Sequence, residues 1–240
     1  MRLNIVILSG AGISAESGLP TFRDKDGLWQ NFDWKRLASA AAFYENPKEV
    51  LDFYNARRRH LLSVEPNHAH IALAELEKYH NVSIITQNVD DLHERAGSTN
   101  VIHLHGELTK ATSSWHRLDP DCIEHYPLDK PIEIGNNAKD GSQLRPYILW
   151  FGEYINSDDC EKAVKTAKDA DVFVIIGTSL NVAPASGLAK YVHPVSPKFV
   201  IDPADLSDKL PSGFTHIRKC ATEGIDDFMT HLEKLMEIYR

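Results

Sequence analysis

The sequence predicts an α/β fold: a Rossmann-like parallel sheet flanked by helices, with a small second domain inserted into it. Three observations carry this expectation. Short apolar runs at Ile5 to Leu8, Val82 to Thr86 and Val172 to Ile176 have the length and composition of buried parallel strands, and helix-length segments separate them. The first run leads into Gly10-Ala11-Gly12-Ile13-Ser14-Ala15, the strand, tight turn and helix order of a dinucleotide site. From Thr109 to Pro146 the periodicity gives way to a polar, turn-rich stretch with Pro120, Pro127, Pro131 and Gly135-Asn136-Asn137, too long for a bare loop. The expected division is therefore 1–108 and 147–240 for the Rossmann-like domain and 109–146 for the insertion.

Taken in order, Gly10 and Gly12 let the backbone turn sharply and lie against a pyrophosphate, and Ala15 fills the third small position. The following helix N-terminus offers free N–H groups to the anion. An ordinary dehydrogenase carries an acidic residue about 20 positions later at a strand end. Here that distance falls at Phe32-Asp33-Trp34, with no apolar run before it. Trp34 to Phe43 reads as a helix, and Asn46-Pro47 opens another that carries Val50, Leu51, Phe53, Tyr54, Leu61 and Leu62 until Glu65-Pro66 stops it. Pro66 to Tyr79 is a third helix. The second strand ends in Gln87-Asn88-Val89-Asp90-Asp91-Leu92-His93, and the third, Val101 to His105, ends in His105-Gly106-Glu107-Leu108. Both polar clusters stand at carboxyl ends of strands, where open α/β sheets bind ligands.

Order resumes at Tyr147 to Glu153, followed by a helix over Asp158 to Lys168. The clearest strand, Asp171 to Gly177, closes with Thr178-Ser179-Leu180-Asn181; a short helix over Ala183 to Tyr191 and a strand at Lys198 to Asp202 follow. The last helix sets Ile225, Phe228, Met229, Leu232, Leu235, Met236 and Tyr239 on one stripe.

Composition narrows the function classes. At 240 residues, 42% hydrophobic and 25% charged, the chain can bury a sizeable core. A net charge of −8 argues against nucleic acid as a partner, because phosphate contacts need a basic face. No apolar run approaches the roughly 20 residues that span a bilayer, so no membrane partner is expected. The first residues lead straight into strand one without a cleavable signal pattern, so the expected location is cytoplasmic. Cys122, Cys160 and Cys220 lie far apart and never in C-x-x-C form, which implies neither disulfides nor a standard zinc site.

Six ordered motifs resemble the sirtuins, NAD-dependent protein lysine deacylases: Gly10-Ala11-Gly12-Ile13-Ser14, Thr21-Phe22-Arg23, Gln87-Asn88-Val89-Asp90, His105-Gly106-Glu107-Leu108, Trp150-Phe151-Gly152-Glu153 and Gly177-Thr178-Ser179. Phe53-Tyr54-Asn55-Ala56-Arg57-Arg58-Arg59 is similar to the pocket of the branch that removes acidic acyl groups. The resemblance implies NAD as co-substrate, acylated lysine side chains of proteins as partners, and release of nicotinamide and O-acyl-ADP-ribose. It implies His105 as general base and Asn88 as its catalytic companion. By the same resemblance Asn88 and Asp90 line the nicotinamide pocket, Phe22 shields the reactive ribose and Arg23 meets phosphate or the acceptor. Trp29, Gln87, Gly177, Thr178, Ser179, Asp202 and Cys220 complete the cofactor contacts, beside Gly10, Ala11, Gly12 and Ala15. Asp90 also suits a helix cap, and Cys220 a buried inert thiol. Tyr54 and Arg57, three apart on a helix, would hold a terminal carboxylate, with Ala38 leaving room for the acyl chain. Trp150, Phe151, Gly152 and Glu153 would form the edge along which a substrate peptide adds as a strand.

Two features depart from the family pattern. Most sirtuins hold the insertion with zinc on four cysteines, whereas this insertion has Cys122 alone, so zinc is expected to be absent and Trp115, Leu118, Ile123, Tyr126, Leu128, Ile132 and Ile134 to form its core. Asp202 stands where the family usually presents asparagine to the adenosine ribose. The competing functional readings are an NAD hydrolase or ADP-ribosyltransferase on the same scaffold, and a non-catalytic NAD-sensing module.

Overall fold

The computed structural model describes residues 1–21 and 33–238. Phe22, Arg23, Trp29 and Tyr239 lie outside the described residues. The main sheet contains β1 (Asn4–Ser9), β2 (Asn81–Thr86), β3 (Val101–His103), β7 (Val172–Ile176), β8 (Lys198–Ile201) and β9 (Phe214–Ile217). Its order is β3-β2-β1-β7-β8-β9, with every pair parallel. The chain thus winds outward from β1 in one direction and from β7 in the other. The switch point between them opens a crevice at the strands' carboxyl ends.

Alternation along the strands divides the core. Ile5, Ile7, Ile84, Val174 and Ile176 pack on one face, beneath α5 (His68–Leu76) and α8 (Ala221–Ile238). Val6, Leu8, Ile85, Phe173 and Ile175 pack on the other, beneath α7 (Ser157–Lys168) and a 3-10 helix, Ala185–Tyr191. This last element is the short helix expected over Ala183 to Tyr191, which starts two residues later and is 3-10 in form. The helix expected over Trp34 to Phe43 is two short ones, α2 (Trp34–Leu37) and α3 (Ala40–Glu45). Between them Ser39 is extended and its hydroxyl caps the second helix by accepting from Ala42 N.

The second sheet is antiparallel and three-stranded, in the order β5-β4-β6, from β4 (Gly106–Ser113), β5 (Glu124–His125) and β6 (Leu144–Ile148). Regular structure therefore starts at Gly106, directly after the third strand, which stops at His103 rather than His105. Only part of the expected apolar set forms its core. Tyr126 and Ile132 are buried with Ala111, Ala138 and Leu144 against Leu51 of α4 (Pro47–Leu62), whereas Trp115, Leu118 and Ile134 are exposed. That core is built against α4 through Leu51.

Arg58 of α4 ties the layers together. Fully buried, its guanidinium donates to Leu108 O at 3.1 Å, Lys130 O at 2.7 Å, Tyr126 O at 2.9 Å and Pro127 O at 2.6 Å. Among the described residues no helix is long and apolar enough to cross a membrane.

Candidate active site

The turns that end β1 and β7 interlock. Gly10 N donates to Ile176 O at 3.0 Å and Gly12 N to Gly177 O at 2.8 Å. A Cβ on Gly10 would lie 2.6 Å from Thr178 Cβ, and one on Gly12 2.6 Å from Gly177 Cα. These glycines serve first to let two backbone turns touch. The helix that they open, α1 (Gly12–Ala15), is only 4 residues long.

A cleft of about 530 Å³ lies at these strand ends. Gly10, Ala11, Gly12 and Ala15 line it from the first turn, Gln87, Asn88 and His105 from the next two strands, and Gly177, Thr178 and Ser179 from β7. Asp202 and Cys220 line it beyond β8. Tyr54, Arg57 and Ala38 line it from the α2–α4 side, with Trp150, Phe151, Gly152 and Glu153. A side pocket of about 210 Å³ shares Ala11, Arg57, Asn88 and Val89 with the cleft and holds Asp90, Ser14 and His60. Ser14 and His60 escaped notice as separate site residues. His60 follows Arg57 by three positions on α4, a spacing that would have found it.

His105 donates from Nδ1 to Gln87 O at 3.0 Å, which leaves Nε2 as the lone-pair nitrogen of the neutral ring. Burial pushes its pKa below the ordinary imidazole value, opposed by the Gln87 carbonyl. Gln87 Nε2 in turn donates to Thr178 Oγ1 at 2.8 Å. Asn88 Nδ2 reaches Gly10 O at 3.2 Å and Ser14 Oγ at 3.1 Å. The Ser14 hydroxyl donates to Asp90 Oδ2 at 3.1 Å. Asp90 Oδ1 accepts from Leu92 N at 3.2 Å, although the N-cap of the helix that starts at Leu92 is Asp91, with no side-chain capping bond. Burial raises the Asp90 pKa against the Leu92 N–H and Ser14 hydroxyl, which lower it.

The Arg57 guanidinium carbon lies 5.6 Å from the Tyr54 ring centroid and 5.8 Å from that of Phe53. Burial lowers the Arg57 pKa and raises that of Tyr54, which keeps the phenol a donor. Glu153 is committed elsewhere: it pairs with the buried Arg145, lies 3.4 Å from Arg117 and accepts from Trp150 N at 2.8 Å. Phe151 spends both backbone groups on Ala38 O and Ala40 N, at 2.9 and 3.2 Å, and Trp150 O accepts from Glu153 N. Of the four residues expected to form the peptide edge, these bonds engage Trp150, Phe151 and the Glu153 N–H, and leave the Gly152 backbone and the Glu153 carbonyl outside them. Cys220 is exposed, not buried as one expectation held; burial and then the nearby carboxylates of Glu16, Glu223 and Asp202 raise its thiol pKa. The Asp202 carboxylate accepts from Ala204 N at 2.9 Å. Among the described residues no three His, Cys, Asp or Glu side chains gather into a metal-binding group.

A model of the Sir2 family matches residues 10–184, which run through the glycine turn, the 87–90 loop, the His105 turn and the Gly177 turn. The chain belongs to the Sir2 family. An NAD-dependent protein deacylase of Helicobacter pylori is 50% identical over 95% of this chain and 97% of its own length. One from Bacteroides thetaiotaomicron is 48% identical over 93% and 95%. A mutant Sir2 homologue bound to ADP-ribose superposes with a TM-score of 0.84 at 38% identity, covering 97% of this chain and 93% of its own. Within a sirtuin, whose co-substrate is NAD, the observed cavity is suitably divided. The cleft follows the interlocked glycine turns, and the side pocket presents the buried side chains of Asp90 and Asn88.

Proposed function

We propose that this sirtuin removes acidic acyl groups, succinyl and malonyl foremost and acetyl as well, from lysine side chains of proteins, with His105 as general base. NAD-dependent protein deacylation is the activity of its Sir2 relatives and of this enzyme. One observation carries the finer reading: a guanidinium and a phenol, Arg57 and Tyr54, line the same cleft as His105 and the glycine turn.

When bound, NAD supplies the ADP-ribosyl group that accepts the acyl chain as nicotinamide leaves. Neutral His105 accepts a ribose hydroxyl proton at Nε2 while Nδ1–H stays on Gln87 O, which stabilises the imidazolium that forms. Asn88, braced on Gly10 O and Ser14, orients the ribose, and Asp90 accepts from the nicotinamide carboxamide. Arg57 grips a terminal carboxylate with two N–H groups and Tyr54 adds a third donor. Acetyl groups have nothing for that clamp to hold.

Mass spectrometry of acetyl- and succinyl-lysine peptides incubated with NAD tests this. Deacylated peptide with O-acyl-ADP-ribose is expected; free ADP-ribose alone would make the protein an NAD hydrolase, and no product an NAD sensor. Arg57→Met should lower desuccinylation about 100-fold, the worth of one charged hydrogen-bonding group, and leave deacetylation within about threefold. Equal loss of both removes the clamp. His105→Ala should lower both by roughly 100-fold or more while NAD still binds.

A further inference from the structure

Two residues before His105, a second imidazole holds the same loop in a different way. His103 ends β3 with its side chain only 8% exposed. Its Nδ1 lies 3.0 Å from Asn88 O and its Nε2 2.7 Å from Glu94 Oε1, on α6 (Leu92–Ala96). A carbonyl and a carboxylate oxygen can only accept, so both ring nitrogens must carry hydrogen. A neutral ring has one hydrogen for two acceptors and sets a lone pair against an oxygen at one of them. His105, by contrast, faces one acceptor with one N–H and is complete when neutral.

We infer that the His103–Glu94 ion pair is the positioning device for Asn88, and that loss of the His103 proton sets the alkaline limit of turnover. The two histidines hold consecutive carbonyls, Gln87 O and Asn88 O, and between them fix the peptide from which the Asn88 side chain reaches Gly10 and Ser14. Activity then occupies the window in which His105 is neutral and His103 is charged.

The surroundings favour the cation. Glu94 and His93 face it from α6, Asp90 and Asp91 from the loop before that helix, and Glu107 from β4. Lys110 on β4 is drawn off by Glu107 at 2.5 Å, and Asp159 of α7 adds a further negative charge beside that pair. Burial alone would push the His103 pKa down, but the Glu94 carboxylate, then Glu107 and the Asn88 carbonyl, raise it above the ordinary value. The Glu94 pKa moves the complementary way: burial would raise it, yet the His103 ring lowers it.

This inference rests on the proposed deacylase reading, so its test includes a measurement that needs no turnover. Nitrogen-15 NMR of the histidine rings at pH 6.5, the ordinary imidazole value that His103 exceeds, should show an imidazolium that disappears in His103→Asn. The pH profile of kcat/KM for NAD, read with a succinyl-lysine peptide, should fall on the alkaline side. Glu94→Gln should move that limb acidward by at least about one pH unit, the shift an adjacent opposite charge confers. His103→Asn keeps an N–H near the Nδ1 position and should flatten the limb. His103→Leu should cost about tenfold at every pH, the lower end for a charged hydrogen bond. A neutral His103 in the spectrum, or superimposable wild-type and Glu94→Gln profiles, overturns the assignment. If no peptide is turned over, the deacylase reading fails on its own, and NAD affinity across the same pH range replaces the rate: its alkaline loss must shift in Glu94→Gln or the inference falls too.

Discussion

Gly12 has no room for a side chain, because a Cβ there would meet the Cα of Gly177 at 2.6 Å, and neither backbone can yield without separating β1 from β7. Gly12→Ala should therefore cost on the order of 1–3 kcal/mol of stability, the range for an overpacked interior, and weaken NAD binding with it. Gly187→Ala is the control, since nothing lies within 4 Å of a Cβ there, and it should stay within about 0.5 kcal/mol. Urea denaturation and calorimetric titration with NAD read both. The glycine turn was legible in the sequence because small residues at fixed spacing have few uses. Its partner was not, since no local pattern says that the Gly177 turn packs on it. Three successive arginines show the same limit. The spacing of Tyr54 and Arg57 set both on one helix face, but nothing in Arg57-Arg58-Arg59 marks the middle residue as buried. Its acceptors come from Leu108, Tyr126, Pro127 and Lys130, far along the chain.

That buried guanidinium matters most at the scale of elements. α4 carries the cleft-lining Tyr54 and Arg57 on one side and supports the second sheet with Leu51, Asn55 and Arg58 on another. Arg58→Met keeps much of the side-chain volume but leaves four buried or half-buried carbonyls without their donor. It should destabilise the protein by about 3 kcal/mol, as other losses of a hydrogen-bonded buried charge do. Because the helix is shared, desuccinylation should fall more than deacetylation even in the folded fraction; thermal melting and the two-peptide assay check this. Elements differed in how far the sequence showed them. β1, β2 and β7 were plain, being continuous apolar runs covered on both faces. β4 was hidden, since Thr112 and Ser113 are buried along with Ala111 and erase the alternation that marks a strand. β9 was hidden as well: a four-residue edge strand carrying Thr215 and His216 offers too short a signal.

For the molecule as a whole, acid is the expected weakness, and the reason lies in a pair of histidines behind the site. His70 on α5 and His93 on α6 are buried, with ring centroids 4.9 Å apart. His70 Nε2 and His93 Nδ1 have no hydrogen-bond partner. Burial takes the His70 pKa down to about 4, with a small opposing pull from Glu94, and takes that of His93 well below its ordinary 6.5, helped by His70 itself. In the unfolded chain both titrate near 6.5. Between that value and 4 the unfolded state therefore binds protons that the folded state refuses. The stabilisation is complete above pH 6.5 and is lost as the pH falls toward 4. For His70 the shift corresponds to roughly 3 kcal/mol, a large share of the 5–15 kcal/mol that holds a typical domain. His103 works in the opposite sense: its raised pKa stabilises the fold below 6.5, and that contribution is lost as the pH rises through the folded-state value. Stability should accordingly peak near neutrality and drop on the acid side. His70→Gln removes the titrating ring but keeps a polar side chain for Asn67, so its urea midpoint should change less than that of the wild type between pH 6.5 and 4. Equal acid slopes in the two proteins would mean that the buried pair does not set the acid limit.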